Sequence, residues 1–331
     1  MTDDYTNHYA LLIGTCSDEN GRYTEKFQAT TNDAEWLATI LKACKFPDKN
    51  VKVLTGFEAT RVNIIQELDN IAQSIDSSDE PSTVVVFFSG HCRFKDDKAI
   101  MIPNINSDRI DLTNNGIDGR FLVDKINLLY ANRVLIVLNT CYADAVIPKF
   151  NRTPLDDDRL LKKFRNNGGT TVFSAAQASG KAQTAHSAKG TSKRYSPFTI
   201  AFGRALTGIG KTKPKDTDLI LTSEVIEQAA AFVRKLTKDK QQPAFDYQGG
   251  NFPVGRYWDP RGKKELFLGD EDDIAVDIEE LKEPEESLAT PSNGQVISVT
   301  YNGPVNAKHS VLGNSNHYGS GTMSFNFTEN N

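Results

Sequence analysis

Two uninterrupted apolar segments constrain the fold of this chain most strongly. Thr83–Ser89 reads TVVVFFS and leads into His91, and Arg133–Asn139 reads RVLIVLN and leads into Cys141. Apolar runs of this length, bounded by turn residues, are typical of strands buried on both faces of a parallel sheet. Helical patterns alternate with such runs along the chain, so the sequence predicts an α/β fold with helices on both faces of the sheet.

The two runs also place two reactive side chains at one edge of the predicted sheet. Ligands of open α/β sheets bind outside the carboxyl ends of the strands, and His91 and Cys141 both follow such ends. A thiol becomes a strong nucleophile as the thiolate, and a neighbouring imidazole can accept its proton. The sequence therefore predicts a histidine–cysteine dyad for nucleophilic catalysis.

The segments around the dyad resemble the catalytic motifs of caspase-like cysteine peptidases. SGH at Ser89–His91 and NTCYAD at Asn139–Asp144 are most similar to the metacaspase-like and prokaryotic branch of that family. The resemblance runs from about Tyr5 to Tyr257. It implies a caspase-like fold, with a mostly parallel six-stranded sheet flanked by helices, and a cysteine endopeptidase that forms a thioacyl-enzyme. Further matching stretches are His8–Gly14, Thr31–Leu37 and Tyr195–Leu206.

The resemblance also assigns roles near the dyad. His91 would be the base, Cys141 the nucleophile, and the backbone N–H groups of Gly90 and Cys141 the oxyanion hole. Cys92 stands where the family usually has glycine, and we expect a tolerated small residue there, with an oxidation-sensitive thiol as the alternative. The remaining thiols, which we expect to be packing residues, are Cys16 and Cys44.

The pocket for the residue before the scissile bond is predicted from the same resemblance. Metacaspases cut after Arg or Lys and hold that side chain with two acids; Asp33 matches the first, but Asn139 replaces the second. Ser89 matches a third pocket position, and Thr30 replaces a Cys that some members have beside the first acid. One carboxylate with polar neighbours suits a planar guanidinium better than an ammonium, so we expect Arg over Lys and little cleavage after Asp. The alternative is that Asp33 only complements a helix dipole.

Two long polar segments, 145–169 and 177–196, follow the cysteine motif. In caspase-like peptidases the region after the catalytic cysteine carries the cleavage that matures the zymogen. The alternative is a pair of solvated surface loops. The candidate self-processing residues in these segments are Arg159, Lys162, Lys163, Arg165, Lys189, Lys193 and Arg194.

Composition divides the chain into a peptidase domain at 1–260, a linker at 261–292 and a tail at 293–331. Glu265–Glu286 holds 11 acidic residues and one Lys, which is typical of a self-repelling, extended linker. The tail is rich in Asn, Gly and Ser with spaced aromatic residues, and it is similar to short amyloid-type signalling motifs of immune proteins. An activator with a similar motif is then a candidate partner, in a defence or cell-death pathway. A plain disordered or packing tail is the alternative.

Bulk properties exclude several other classes. A net charge of −5 and a pI near 5.6 argue against a nucleic-acid binder. No apolar run approaches the ~20 residues that cross a membrane, and the acidic start is unlike a signal peptide. We therefore expect a cytoplasmic protein with reduced thiols, acting on protein substrates.

No cofactor is expected from the sequence. The four cysteines show no CxxC pairing, so a zinc site is poorly supported. Some metacaspases need calcium, but the adjacent acids Asp156, Asp157 and Asp158 do not form a chelating site, because neighbouring side chains rarely converge.

The sequence is compatible with three function classes. The first is an active cysteine peptidase. The second is an inactive caspase-like scaffold that works through tail-mediated assembly, which the departures at Asn139 and Cys92 keep open. The third is another thiol chemistry, such as peptide ligation, because an amine can also resolve the acyl-enzyme.

Overall fold

The computed structural model describes residues 7–18, 20–75, 81–95, 98–105, 111–141, 169–175, 186–188, 193–209, 216–257, 274–275, 298–300 and 322–324. The chain divides into two units, Met1–Glu279 and Glu280–Asn331. Predictions for the two polar segments and for the tail fall mostly outside these ranges.

The strands, in chain order, are β1 (His8–Gly14), β2 (Val51–Thr55), β3 (Thr83–Ser89), β4 (Cys92–Lys95), β5 (Lys98–Met101), β6 (Ile117–Asp118), β7 (Arg133–Asn139), β8 (Gly169–Ser174), β9 (His186–Ala188), β10 (Arg194–Tyr195), β11 (Leu219–Leu221), β12 (Ala244–Gly249), β13 (Pro253–Arg256), β14 (Ile274–Ala275), β15 (Ser298–Thr300) and β16 (Thr322–Ser324). The α-helices are α1 (Gln28–Ala43), α2 (Arg61–Ser74), α3 (Leu112–Asn115), α4 (Gly119–Asn127), α5 (Pro197–Thr207) and α6 (Thr222–Leu236).

The central sheet has six strands in the order β12-β8-β7-β3-β1-β2. Neighbours from β8 to β2 run parallel, while β12 joins β8 in the antiparallel sense. β3 and β7, the two apolar runs of the sequence, lie side by side at the centre and are buried along nearly their whole length. The predicted mostly parallel six-stranded sheet is confirmed.

Helices cover both faces of this sheet. Because side chains alternate along a strand, Leu12 of β1 packs into a core cluster with α1, α5 and α6, while Leu11 packs into a second cluster with α2 and α4. Both leucines are fully buried. Among the described helices, none combines the length and the apolar character needed to cross a bilayer.

Short strands complete the two units. β4, β5 and β6 form a small antiparallel sheet that begins directly after His91. β14 lies within the predicted acidic linker but pairs with β9, so the first unit extends past the predicted boundary at residue 260. Within the second unit, β15 and β16 pair with each other in the antiparallel sense.

A substitution at Gly203 would test the packing between α1 and α5. A Cβ at Gly203 would lie 2.4 Å from the ring of Trp36. Gly203→Ala gains about 1 kcal/mol of helix propensity, but overpacking costs about 1–3 kcal/mol, so we expect a net loss in the free energy of unfolding. Denaturant titration measures it. The loss should shrink or reverse in a Trp36→Leu background, and stabilisation of the wild type by Gly203→Ala would contradict the packing.

Candidate active site

Strand register brings the two dyad residues to the same edge of the sheet. Thr55, Gly14, Ser89 and Asn139 form one row across β2, β1, β3 and β7. His91 and Cys141 each lie two residues beyond this row, on adjacent strands whose spacing is about 4.8 Å. The strands that lead into His91 and Cys141 are therefore direct neighbours.

His91 and Cys141 are both half-buried. The His91 carbonyl accepts a hydrogen bond from the Ile102 N–H at 2.9 Å, and the imidazole lies edge-on to Phe27 with ring centroids 4.5 Å apart. Cys141 packs against the core cluster that contains α1 and α5. These contacts hold both groups at the strand ends while leaving part of each side chain accessible.

A buried carboxylate lies next to the dyad strands. Asp33 of α1 has no exposed surface. One oxygen accepts from the Ser89 hydroxyl at 3.0 Å and from the Asn139 amide at 3.1 Å, while the other accepts from the Ser196 N–H at 2.9 Å. Burial raises the pKa of Asp33 to about 6, although the hydrogen bonds from Ser196, Ser89 and Thr199 act to lower it. Three of the four predicted pocket residues thus share one hydrogen-bonded group.

Ser196 belongs to this group, although the sequence analysis did not single it out. Its hydroxyl accepts from the Asn139 amide at 2.7 Å and caps α5 by accepting from the Thr199 N–H at 3.2 Å. The sequence contains a signal for the helix cap, because Ser followed by Pro197 at the first helical position is a strong N-cap pattern. The cap is local, whereas the contact with Asp33 joins residues far apart in the chain.

The caspase domain matches residues 7–249 of the chain, which is more than half of its length. The chain belongs to the caspase family of cysteine peptidases. No curated protein sequence matches it. The family match confirms the predicted fold and peptidase class, while the metacaspase-like branch stays a prediction.

Thr30 and Asp33 have different hydrogen-bond partners in this caspase domain. The Thr30 hydroxyl donates to the Phe27 carbonyl and accepts from the Cys16 N–H, both at 2.9 Å, so it ties the loop after β1 to α1 and does not join the group around Asp33. A pocket role of Thr30 stays a prediction. The helix-dipole alternative for Asp33 is wrong. Asp33 lies beyond the first turn of α1, and its carboxylate is bonded to the sheet edge and to Ser196.

Gly90 is closely packed against Thr15. A Cβ at this position would lie 2.4 Å from the Thr15 hydroxyl, so the absence of a side chain accommodates Thr15. The Gly90 N–H donates to the Asn139 carbonyl at 3.3 Å. To serve as an oxyanion donor, the Gly90 N–H would have to give up this hydrogen bond between the two dyad strands. The oxyanion role of Gly90 stays a prediction, and it would cost the free energy of that hydrogen bond.

The buried thiols in this caspase domain fit packing roles. Cys92 is 8% exposed, and burial, together with the nearby Cys141 thiolate charge, raises its pKa to about 12. Burial also raises the pKa of Cys44 to about 12, and its thiol donates to the Leu206 carbonyl at 3.4 Å. Cys16 is fully buried, and its thiol donates to the Thr24 carbonyl at 3.1 Å. The protonated thiol of Cys92 argues against the oxidation-sensitive alternative.

Two of the candidate self-processing residues are described. Lys193 is exposed and lies 3.9 Å from the Glu35 carboxylate. Arg194 belongs to β10, its carbonyl accepts from the Asn32 side chain at 2.9 Å, and the following Tyr195 is buried. The Arg194 side chain is exposed, but the bond after it lies within β10 and next to the buried Tyr195, so cleavage there would require this segment to open. The candidates that lie outside the described residues are Arg159, Lys162, Lys163, Arg165 and Lys189.

Two matched helix caps test the Ser196 contact. The Thr60 hydroxyl caps α2 by accepting from Asn63 N–H at 3.2 Å, the same distance as in the Ser196 cap. We expect Thr60→Ala to lower the free energy of unfolding by about 1 kcal/mol. Ser196→Ala should cost about 1–2 kcal/mol more, because it also removes an acceptor from the buried Asn139 amide. Denaturant titration compares the two variants, and equal losses would contradict this role of Ser196.

Proposed function

We propose that the protein is a cysteine endopeptidase that cuts protein substrates after a basic residue, with Arg preferred over Lys. The observation that carries the proposal is the buried Asp33 carboxylate, bonded to the ends of the two strands that lead into His91 and Cys141. A carboxylate beside a nucleophile provides a negative partner for a basic substrate side chain.

The chemical step follows from the dyad. His91 takes the proton from the Cys141 thiol, and the thiolate attacks the carbonyl carbon of the scissile bond. The tetrahedral intermediate then collapses as the protonated imidazole gives its proton to the leaving amine. Water, deprotonated by His91, attacks the thioacyl-enzyme and releases the acid product, which restores the free thiol.

The oxyanion would be stabilised by N–H donors near the dyad that point away from the strand ladders. In an antiparallel ladder, hydrogen-bonded and non-hydrogen-bonded pairs alternate. Because the His91 carbonyl accepts from Ile102, the next pair, Cys92 and Met101, is a non-hydrogen-bonded one, and the Cys92 N–H points away from β5. We therefore favour the N–H groups of Cys92 and Cys141 over that of Gly90 as donors to the oxyanion.

The polar groups around Asp33 support the preference for Arg. The Asn139 amide nitrogen lies within hydrogen-bond distance of Asp33, Ser89 and Ser196, while its buried carbonyl oxygen has no hydrogen-bond partner in the described part of the chain. A guanidinium presents several N–H donors in a plane, so it can bond the carboxylate and this oxygen together. An ammonium is a point charge, and the carboxylate of an Asp substrate would meet Asp33 as a like charge.

A peptide panel tests the nucleophile and the pocket together. Wild-type protein and Cys141→Ala are compared on aminocoumarin peptides that end in Arg, Lys or Asp. We expect cleavage after Arg about tenfold faster than after Lys, the effect of one charge-assisted hydrogen bond of about 1.5 kcal/mol. Cys141→Ala should show no cleavage. Faster cleavage after Asp than after Arg would overturn the pocket assignment, and an inactive wild type would leave a zymogen or a scaffold.

The raised pKa of Asp33 predicts a pH-dependent selectivity. The ratio of kcat/KM for an Arg peptide to that for a Gln peptide isolates the pocket, because titration of the dyad affects both substrates equally. Asp33 is charged above its pKa of about 6, so the ratio should be high at pH 8 and fall by about half near pH 6 as the carboxylate is protonated. Asp33→Asn is the control and should give a low ratio at every pH. A wild-type ratio that is constant between pH 8 and 5 would exclude Asp33 as the charged partner.

The biological setting is part of the proposal and is not tested by the geometry. The cytoplasmic location, a role in defence or programmed cell death, and activation by a partner with a motif like the tail stay predictions. So do the independence from calcium and the processing of the zymogen.

A further inference from the structure

Two aromatic rings are stacked on the surface of the first unit. The rings of Tyr23 and Phe57 have centroids 4.2 Å apart and an interplanar angle of 25°. Tyr23 is 37% exposed and Phe57 is 62% exposed. We call this pair the aromatic shelf. Aromatic rings offer large contact area at low conformational cost, so an exposed stacked pair is well suited to binding an apolar side chain.

The aromatic shelf lies at the same edge of the sheet as the dyad. Phe57 sits in the 3-10 helix Gly56–Glu58 directly after β2. Because Thr55 lies in one row with Ser89 and Asn139, Phe57 is two residues beyond that row, as are His91 and Cys141. Tyr23 comes from the loop after β1 and is tied back to Ser17 by an isolated bridge.

Backbone hydrogen bonds from a third segment hold the loops that carry the aromatic shelf. The Asn104 side chain donates to the Gly56 carbonyl, and its N–H donates to the Ala59 carbonyl at 2.8 Å. The Ile105 N–H donates to the Gly21 carbonyl at 2.8 Å. A Cβ at Gly21, whose φ is +81°, would collide with the Ile105 side chain. The surface is thus preorganised, which lowers the entropic cost of binding.

The chemistry of the dyad decides which half of a substrate passes the aromatic shelf. His91 must reach the nitrogen of the leaving amine to protonate it. The leaving half of the substrate therefore departs on the His91 side of Cys141. The sheet order places β3, β1 and β2 successively on that side of β7. The leaving half of the substrate would therefore extend toward Phe57.

Strand spacing gives the position along the substrate. β2 is three strands from β7, or about 14 Å at about 4.8 Å per strand. An extended peptide advances about 3.3 Å per residue, so this distance corresponds to about three or four residues after the scissile bond. The aromatic shelf would meet a side chain at that position.

We propose that Tyr23 and Phe57 form a substrate-binding surface for an apolar or aromatic side chain about three or four residues downstream of the scissile bond. The proposal rests on the peptidase function proposed above, and it adds a specificity determinant on the leaving side of the substrate. The occupant is the extended polypeptide being cut.

Internally quenched peptides test this surface. Two peptides share every residue up to and including the Arg before the scissile bond, and they differ in having Phe or Ser at the third and fourth downstream positions. We expect the wild type to cut the Phe peptide about fivefold faster or more in kcat/KM, the ratio that corresponds to about 1 kcal/mol of aromatic contact. In Phe57→Ala and Tyr23→Ala the ratio should fall toward one. The Ser peptide, cut by the same variant, controls for folding.

A matched control and a third substrate separate the outcomes. Tyr130 is also 62% exposed but precedes β7 at the opposite edge of the sheet, so Tyr130→Ala should keep the wild-type ratio. An aminocoumarin peptide ending in Arg carries no downstream residue and tests the peptidase function alone. If the wild type cuts the aminocoumarin peptide but cuts the Phe and Ser peptides at equal rates, the proposed role of the aromatic shelf is overturned. The same holds if Phe57→Ala keeps the wild-type ratio. If the wild type cuts none of the three, the result counts against the peptidase proposal and, with it, against this one.

Discussion

The buried carboxylate of Asp33 is the interaction on which the site depends. A carboxylate without exposed surface is costly unless hydrogen bonds compensate for the lost water. Here the partners come from three other elements, because Ser89 ends β3, Asn139 ends β7 and Ser196 caps α5. Satisfying one buried charge therefore fixes α1 and α5 against the strand ends that carry the dyad. The polar pocket and the catalytic edge are positioned by the same bonds.

The ends of β3 and β7 are also joined directly, which has consequences for catalysis. The Gly90 N–H bonds to the Asn139 carbonyl, and Thr15 fills the space beside Gly90. Such contacts keep His91 and Cys141 in register, as a dyad requires. They also use a donor that an oxyanion would otherwise need, and the ladder between β4 and β5 leaves the N–H of Cys92 turned away from its neighbour strand. Rigidity of the dyad and the choice of oxyanion donor are thus linked.

Much of the fold could be predicted because its signals are local. The apolar runs of β1, β3, β7 and β8 and the helical patterns between them are visible residue by residue, and the structure has strands and helices at those places. β12 was missed, since AFDYQG is short and mixed in polarity, and it becomes a strand by pairing with β8. The contacts of Thr30 were missed for a related reason, because they depend on the turn after β1.

The sequence by itself determined the parallel sheet and the placement of His91 and Cys141 at one edge. Burial of apolar side chains and the polarity of parallel strands are sufficient for that. Only the tertiary structure decided that Ser196 joins Asp33, that Gly90 gives its N–H to Asn139, and that Tyr23 stacks on Phe57. Each of these contacts joins segments that are distant in the chain. Their geometry depends on how helices and loops sit on the completed sheet, which no local pattern encodes.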